Sequence, residues 1–226
     1  QETDEDIDFS IDLTASDVDI AENGQSLNWS VSSSDESLVI VSIEDPNTDG
    51  TEASLSFDVL DDQNGSADIT VTVNDAQGRA VDSETFTLTV NAVNDTPILT
   101  VIGDQVTAED TDFSIDLSAS DVDIDENGQT LTYSAVSSDE SLVMVTTTTL
   151  DNGTTGTLTF DVLDDQNGSA DITVSITDSE GAADTTTFIL TVNAINDTPI
   201  LTEIGAQATD EDTDLTIDLS ASDVDI

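Results

Sequence analysis

The chain repeats itself with a period close to one hundred residues, and this limits its architecture more than anything else in it. Phe57 to Val71 returns letter for letter at Phe160 to Val174. Ser16-Asp17-Val18-Asp19-Ile20 returns at Ser120 to Ile124 and again at Ser222 to Ile226. Asn94-Asp95-Thr96-Pro97-Ile98-Leu99 returns at Asn196 to Leu201. A period of this size is too long for a solenoid turn and matches a complete small domain. The expected architecture is a linear array of beads. Residues 1–94 form a bead without its opening strand, 95–196 a complete bead, and 197–226 the first strands of a third. Gln1 lines up with Gln105 and Gln207, so the chain opens inside a repeat and reads as a segment of something longer.

Within each repeat, apolar and polar residues alternate with period two, the pattern of half-buried strands. The second copy carries Phe113/Ile115/Leu117, Leu131/Tyr133, Leu142/Met144, Leu158/Phe160/Val162, Ile172/Val174/Ile176 and Phe188/Leu190/Val192. Thr and Ser fill most positions between them, as suits a solvated sheet face. Asn127-Gly128, Asn152-Gly153, Asn167-Gly168 and Glu180-Gly181 punctuate the runs as turns. No helical period is evident. The expected fold class is all-β, a tandem series of immunoglobulin-like antiparallel sandwiches. Trp29 and Tyr133 occupy equivalent positions and are read as packing residues rather than a ligand platform.

Composition narrows the function. One Arg, no Lys, no His and 51 acidic residues give a net charge of −50. Nucleic acid is excluded as an unaided partner, because its binding rests on Lys and Arg at phosphates. Docking on anionic lipid is disfavoured for the same reason. The longest apolar runs, such as Leu38 to Val41, are too short to cross a membrane. Without Cys or His there are no zinc sites, disulfides or thiol chemistry, and imidazole and lysine catalysis are absent. The chain is therefore read as no enzyme. The acids themselves admit two readings: a solvated surface that keeps the protein soluble, and oxygen ligands for a hard divalent cation.

The acids gather at four places in each repeat, and these carry a recognisable pattern. Asp121-Val122-Asp123 leads through Asn127-Gly128 to a strand ending Tyr133-Ser134. Leu60-Asp61-Asp62-Gln63 sits where cadherins carry Leu-Asp-Arg-Glu. Thr177-Asp178-Ser179-Glu180-Gly181 resembles the cadherin Thr-Asp-x-Gly turn, and Asn94-Asp95-Thr96-Pro97 the linker Asn-Asp-Asn-Ala-Pro. Four motifs in cadherin order resemble the long bacterial cadherin-like repeat proteins of surface adhesins and other large secreted proteins.

That resemblance implies Ca2+ bound between successive domains. The first joint would use Glu5, Asp61, Gln63, Asn94, Asp95, Asp121, Asp123, Asn127 and Asp178. The next would use Glu109, Asp164, Gln166, Asn196, Asp197, Asp223 and Asp225. Asp17, Asp19, Asn23 and Asp75 would face a preceding bead. The chain departs from the family in several places: Gln63 and Gln166 replace a glutamate, Ala92 and Ala194 replace an aspartate, and the linker is one residue shorter. One or two ions per joint are expected instead of three. An EF-hand is rejected, since Glu126 stands where that loop needs Gly and Thr132 where it needs Glu. The alternative to ligation is that Asp-Val-Asp is a polar loop in an acidic chain.

The expected function is a calcium-stiffened extracellular stalk of a large bacterial surface adhesin. Its partners are neighbouring repeats, and its adhesion target lies elsewhere. The alternative is a filament or matrix subunit, in which incomplete end beads of identical chains complete one another by strand addition.

Overall fold

A computed structural model describes residues 1–18, 20, 22, 24–75 and 81–225, with only the backbone of Glu126. Contacts divide the chain into two compact units. The first comprises Gln1–Asp95 with Val122–Gln129, and the second Thr96–Asp121 with Thr130–Ile226. The unit boundary thus departs from the repeat boundary by one loop.

In the first unit, one sheet is built from β1 (Glu2–Asp4), β7 (Val81–Asn91), β6 (Gly65–Asp75) and β3 (Leu27–Ser33), in that order. The other contains β2 (Phe9–Thr14), β5 (Glu52–Val59) and β4 (Val39–Glu44). Strand β1 runs parallel to β7, and the other pairings are antiparallel. Alternate residues of the two sheets meet in a core where Val39, Leu55, Phe57, Ile69 and Leu88 have no solvent exposure. The ring of Phe9 stacks on Phe57 with centroids 4.3 Å apart.

The second unit repeats this plan with one more strand. Strands β12 (Val143–Leu150), β13 (Thr155–Val162), β10 (Phe113–Ser120) and β8 (Ile98–Leu99) form one sheet. Strands β11 (Thr132–Ser137), β14 (Gly168–Thr177), β15 (Ala183–Asn193) and β9 (Gln105–Ala108) form the other. The core again centres on stacked rings, Phe113 on Phe160 at 4.3 Å, with Phe188 edge-on at 6.3 Å. The alternation reads as expected along β13, where Leu158, Phe160 and Val162 point inward and Thr157, Thr159 and Asp161 outward. A short pair, β16 (Ile200–Leu201) with β17 (Ala221–Ser222), represents the third repeat.

Two expectations are corrected. Met144 is 44% exposed and Val143 is fully buried, so the inward phase of β12 is Val143/Val145. The cause is a turn just before the strand. Asp139 caps it by accepting from the Ser141 N–H, and the Leu142 N–H bonds the Asp139 carbonyl. Leu142 is buried as part of that turn and not as the first strand residue. The second correction is helix α1 (Asp123–Asn127), a single turn within the Asp-Val-Asp loop. It ends at Gly128, whose left-handed backbone (φ 69°) stops it. A five-residue helix is too short to show a period. Gly153 also needs to be glycine: its φ is +93°, and a Cβ there would overlap the Leu131 carbonyl.

Candidate metal centre

The chain ends of the first sandwich bring three acids together. Strand β1 lies beside the end of β7, where the Glu5 N–H donates to the Asn91 carbonyl at 3.0 Å. This pins Glu5 against the residues that leave β7. Its Oε1 accepts from the Val93 N–H at 2.6 Å, and the residue is only 2% exposed. Its other oxygen, Oε2, is buried with no hydrogen-bond partner. Two residues on, Asp95 donates its N–H to Oδ2 of Asp123 at 2.8 Å. Asp123 is buried at the start of α1 and accepts from Asn127 Nδ2 on its other oxygen at 2.7 Å. Oxygens of Glu5, Asp95 and Asp123 lie within 4.8 Å of one another.

A second group shares Asp95. Asp6 and Asp62 both adopt left-handed backbone, with φ of 63° and 57°, and the Asp62 N–H donates to Asp6 Oδ1 at 3.0 Å. Asp tolerates this conformation better than most residues. The consequence is a second cluster of Asp6, Asp62 and Asp95, also within 4.8 Å. Amide oxygens stand nearby. Asn94 Oδ1 accepts from the buried Gln129 at 2.6 Å, and Asn127 Oδ1 accepts from Asn64 at 3.3 Å.

The second unit holds the same arrangement. Glu109, 2% exposed, accepts from the Ile195 N–H at 2.6 Å, and Asp197 donates its N–H to Asp225 Oδ2 at 2.7 Å. Glu109, Asp197 and Asp225 form one group and Asp110, Asp165 and Asp197 another. The Asp165 N–H donates to Asp110 Oδ1 at 3.0 Å, repeating the Asp62–Asp6 bond.

The electrostatics follow from crowding like charges. Burial is the main cause that pushes the Glu5 carboxyl above its ordinary range; Asp6, Asp123 and Asp95 add to it, against a lowering from the Val93 N–H. Desolvation and then neighbouring carboxylates raise Asp165 and Asp197 in the same way. Among the described residues there is no Lys, Arg or His side chain to relieve them.

The residues fit a hard cation. Every donor is an oxygen, and oxygens on one calcium at about 2.4 Å can be no more than about 4.8 Å apart. An unpartnered buried carboxylate oxygen is costly without such an ion.

The nominated residues are distributed unevenly. Glu5, Asp95 and Asp123 meet, as do Glu109, Asp197 and Asp225. Asn94 and Asn127 adjoin the first set through the bonds above. Asn196 stands beside the second, its amide on the Asp197 carbonyl at 2.6 Å. Asp61 and Asp164 are exposed and fall in none of the four groups. Gln63 and Gln166 turn their amides onto the carbonyls of Asp62 and Asp165, at 2.9 and 2.8 Å. Asp121 belongs to the second unit and Asp123 to the first. Asp223 accepts the Asp225 N–H at 3.1 Å. Asp178 holds the turn that follows it: its Oδ1 accepts from the N–H groups of Glu180, Gly181 and Ala182 at 2.9, 2.5 and 2.9 Å. Asp17 and Asp75 are half-buried, whereas Asp19 and Asn23 lie outside the described residues.

Asp6, Asp62, Asp110 and Asp165 were not anticipated. The resemblance directed attention to the first Asp of Leu60-Asp61-Asp62-Gln63, and Asp62 stands where the family has Arg. The usable signal was the doubled acid itself, Glu5-Asp6 and Asp61-Asp62, returning at Glu109-Asp110 and Asp164-Asp165.

Residues 94–191 match the family model described as a bacterial Ig domain. The second repeat resembles that domain over nearly its whole length. The first repeat shares its strand plan and much of its sequence, so the chain is a tandem array of immunoglobulin-like β-sandwiches. Among solved structures, human CDH23 EC21-23 is 19% identical over 92% of this chain and 71% of its own, with a TM-score of 0.51. The protocadherin GammaB4 extracellular domain is 24% identical over 82% of this chain, with a TM-score of 0.46. The Ig-like chain spans about a third of that protocadherin, 34% of its length. No curated protein matches it by sequence. Among the described residues, no helix is long and apolar enough to cross a membrane.

Proposed function

We propose that the chain is a calcium-stiffened structural segment, a stalk or spacer, of a large bacterial surface protein. The observation that carries this reading is Glu5, buried with one oxygen unpartnered and gathered with Asp95 and Asp123. A bound calcium would neutralise that cluster and fasten the 122–129 loop to residues 1–95. The loop is spliced between β10 and β11, so fastening it restrains the passage from one repeat to the next. Asp62 and Asp6 add a second ion position through the shared Asp95.

Calcium supplies charge neutralisation and oxygen coordination, while the protein's contribution is to present carboxylates on rigid strand ends. Binding only to the folded state stabilises by about 1.4 kcal/mol per site at a concentration tenfold above Kd. The composition and the Ig-like family favour a mechanical role over catalysis, and an extracellular location suits millimolar calcium affinities. Small-angle scattering and melting curves with calcium and with chelator test the reading. A maximum dimension that rises and a melting temperature that increases with calcium are expected. If both stay constant, the stiffened-joint mechanism fails.

A further inference from the structure

The same edge strand ends differently in the two repeats. Ser34 to Val39 and Ser138 to Val143 read identically, and each leads into a strand at the edge of its sheet, β4 and β12. In the first repeat that strand stops after six residues. Glu44 puts a charge on its solvent face, Asp45 turns off with a left-handed backbone (φ 46°), and Pro46 follows. Charge and proline are the devices by which natural sheets keep an edge from pairing with another chain.

The second repeat has none of these. Thr148, Thr149 and Leu150 stand in the three positions, and Ser141 to Leu150 carries no charge. All eight residues of β12 pair with β13, from Val143 opposite Val162 to Leu150 opposite Thr155. On its other side β12 has no strand partner. Two side chains reach across there: the Thr147 hydroxyl donates to the Tyr133 carbonyl at 3.0 Å, and the Thr149 hydroxyl accepts from the Tyr133 N–H at 3.3 Å. Among the described residues, no backbone bond joins that side of residues 144–150 to another segment. The Leu163 N–H donates to the Leu142 carbonyl, so even-numbered residues direct their backbone groups to β13. The groups of Val145, Thr147 and Thr149 therefore face outward, because the direction alternates along an antiparallel pair.

The solvent face of this strand is self-complementary. Met144, Thr146, Thr148 and Leu150 alternate outward, and its two apolar ends, Met144 and Leu150, are 44% and 55% exposed. Two such strands laid antiparallel about a two-fold axis at Thr147 set Met144 opposite Leu150 and Thr146 opposite Thr148. The same register pairs the outward backbone groups, Thr147 with its copy and Val145 with Thr149. Each apolar end then covers the other at a cross-strand spacing of about 5 Å. We propose that β12 is a docking edge for β12 of a second copy, joining two sandwiches side by side through one continuous sheet. In a chain of net charge −50, this strand pairs without setting carboxylate opposite carboxylate. The contact uses the same surface on both copies, so it closes at the dimer. It rests on strand pairing in the second repeat and not on the calcium reading.

The test is sedimentation of the 226-residue chain in chelator, at about 0.5 M NaCl so that screening falls to roughly 4 Å and the acidic chains can approach. The expected result is a mass that rises with concentration from one chain to two and no further. Thr148→Glu/Leu150→Asp changes two exposed residues, the first to the residue that the first repeat carries there as Glu44. It should stay monomeric with an unchanged melting temperature. The chain has no Cys, so added thiols report the register. Under a mild oxidant Met144→Cys/Leu150→Cys should give a covalent dimer, whereas Met144→Cys or Leu150→Cys alone should not, since only the 144–150 pair falls within disulfide reach. A parent that stays monomeric at about 1 mM, where even a weak contact of about 4 kcal/mol would show, overturns the proposal. So does association beyond the dimer, association that persists in Thr148→Glu/Leu150→Asp, or single-Cys chains that cross-link as readily as the double variant. Calcium plays no part in these measurements, so their failure leaves the metal centre standing, and the reverse.

Discussion

Replacing Glu5 by Gln should stabilise the chain in chelator and lose about half of that advantage in calcium. Oxygens of Glu5, Asp95 and Asp123 lie within 4.8 Å of one another. At that distance two unit charges repel by about 0.9 kcal/mol in water and by about 3.5 kcal/mol at an effective dielectric near 20. Glu5 faces two such neighbours, and Gln keeps the acceptor oxygen for the Val93 N–H while removing the charge. In chelator the variant should be more stable by about 2 kcal/mol, a rise in melting temperature of about 10 °C for a sandwich of this size. In calcium at tenfold Kd the parent gains about 1.4 kcal/mol; a variant binding tenfold more weakly gains about 0.4 kcal/mol. Calorimetry reads both, with the Glu109 unit as internal control. The pH profile supplies a second check. The Glu5 pKa is raised on folding, so its stabilising contribution is full below the ordinary value of 4.5 and is lost as pH rises through the folded value. The metal-free parent should therefore weaken from mild acid towards neutrality, and Glu5→Gln should flatten that slope. A variant that melts below the parent in chelator, or that retains the full calcium increment, would refute the crowded-carboxylate account.

Three further outcomes are expected. Asp62→Asn should lower calcium affinity severalfold by calorimetric titration while Asp61→Asn leaves it unchanged, because only Asp62 sits with Asp6 and Asp95. Phe160→Ala, which removes a fully buried ring stacked on Phe113 and edge-on to Phe188, should cost about 3–5 kcal/mol in denaturant unfolding. Gly153→Ala should cost at least about 2 kcal/mol, since its backbone is left-handed and the Leu131 carbonyl occupies the space of a Cβ; a melting temperature within a degree of the parent contradicts this.

Much of the sandwich was legible because period-two alternation is a direct imprint of one buried face. Leu158, Phe160 and Val162 could hardly be arranged otherwise. The phase error at Leu142 and Met144 arose where a turn residue is as buried as a strand residue, so hydrophobicity alone could not tell them apart. Helix α1 escaped notice because one turn has no period; only Asn127-Gly128 marked its end. At the acidic centre, family resemblance nominated Glu5, Asp95 and Asp123, which the fold brings together. It also nominated Asp61, which the fold leaves in solvent. The choice between Asp61 and Asp62 is made by backbone conformation: the left-handed residue turns its carboxylate towards Asp6 and Asp95. Asp178 was legible as an acid in a turn, but not the three N–H groups that already occupy its Oδ1.

The letter-for-letter identity of Phe57–Val71 and Phe160–Val174 bears on how the chain reaches its native state. These segments contain the end of β5 with most of β6, and the end of β13 with the start of β14. They supply the inner residues Phe57, Ile69 and Val71 to one core and Phe160, Ile172 and Val174 to the other. Either segment would satisfy either core, so packing does not distinguish the right pairing from the swapped one. What distinguishes them is connectivity and time. A repeat that emerges and closes before its neighbour is synthesised pairs with itself, whereas refolding of the whole chain from denaturant sets both copies in competition. Sequence economy in the array is thus matched by a dependence on the order in which its parts appear.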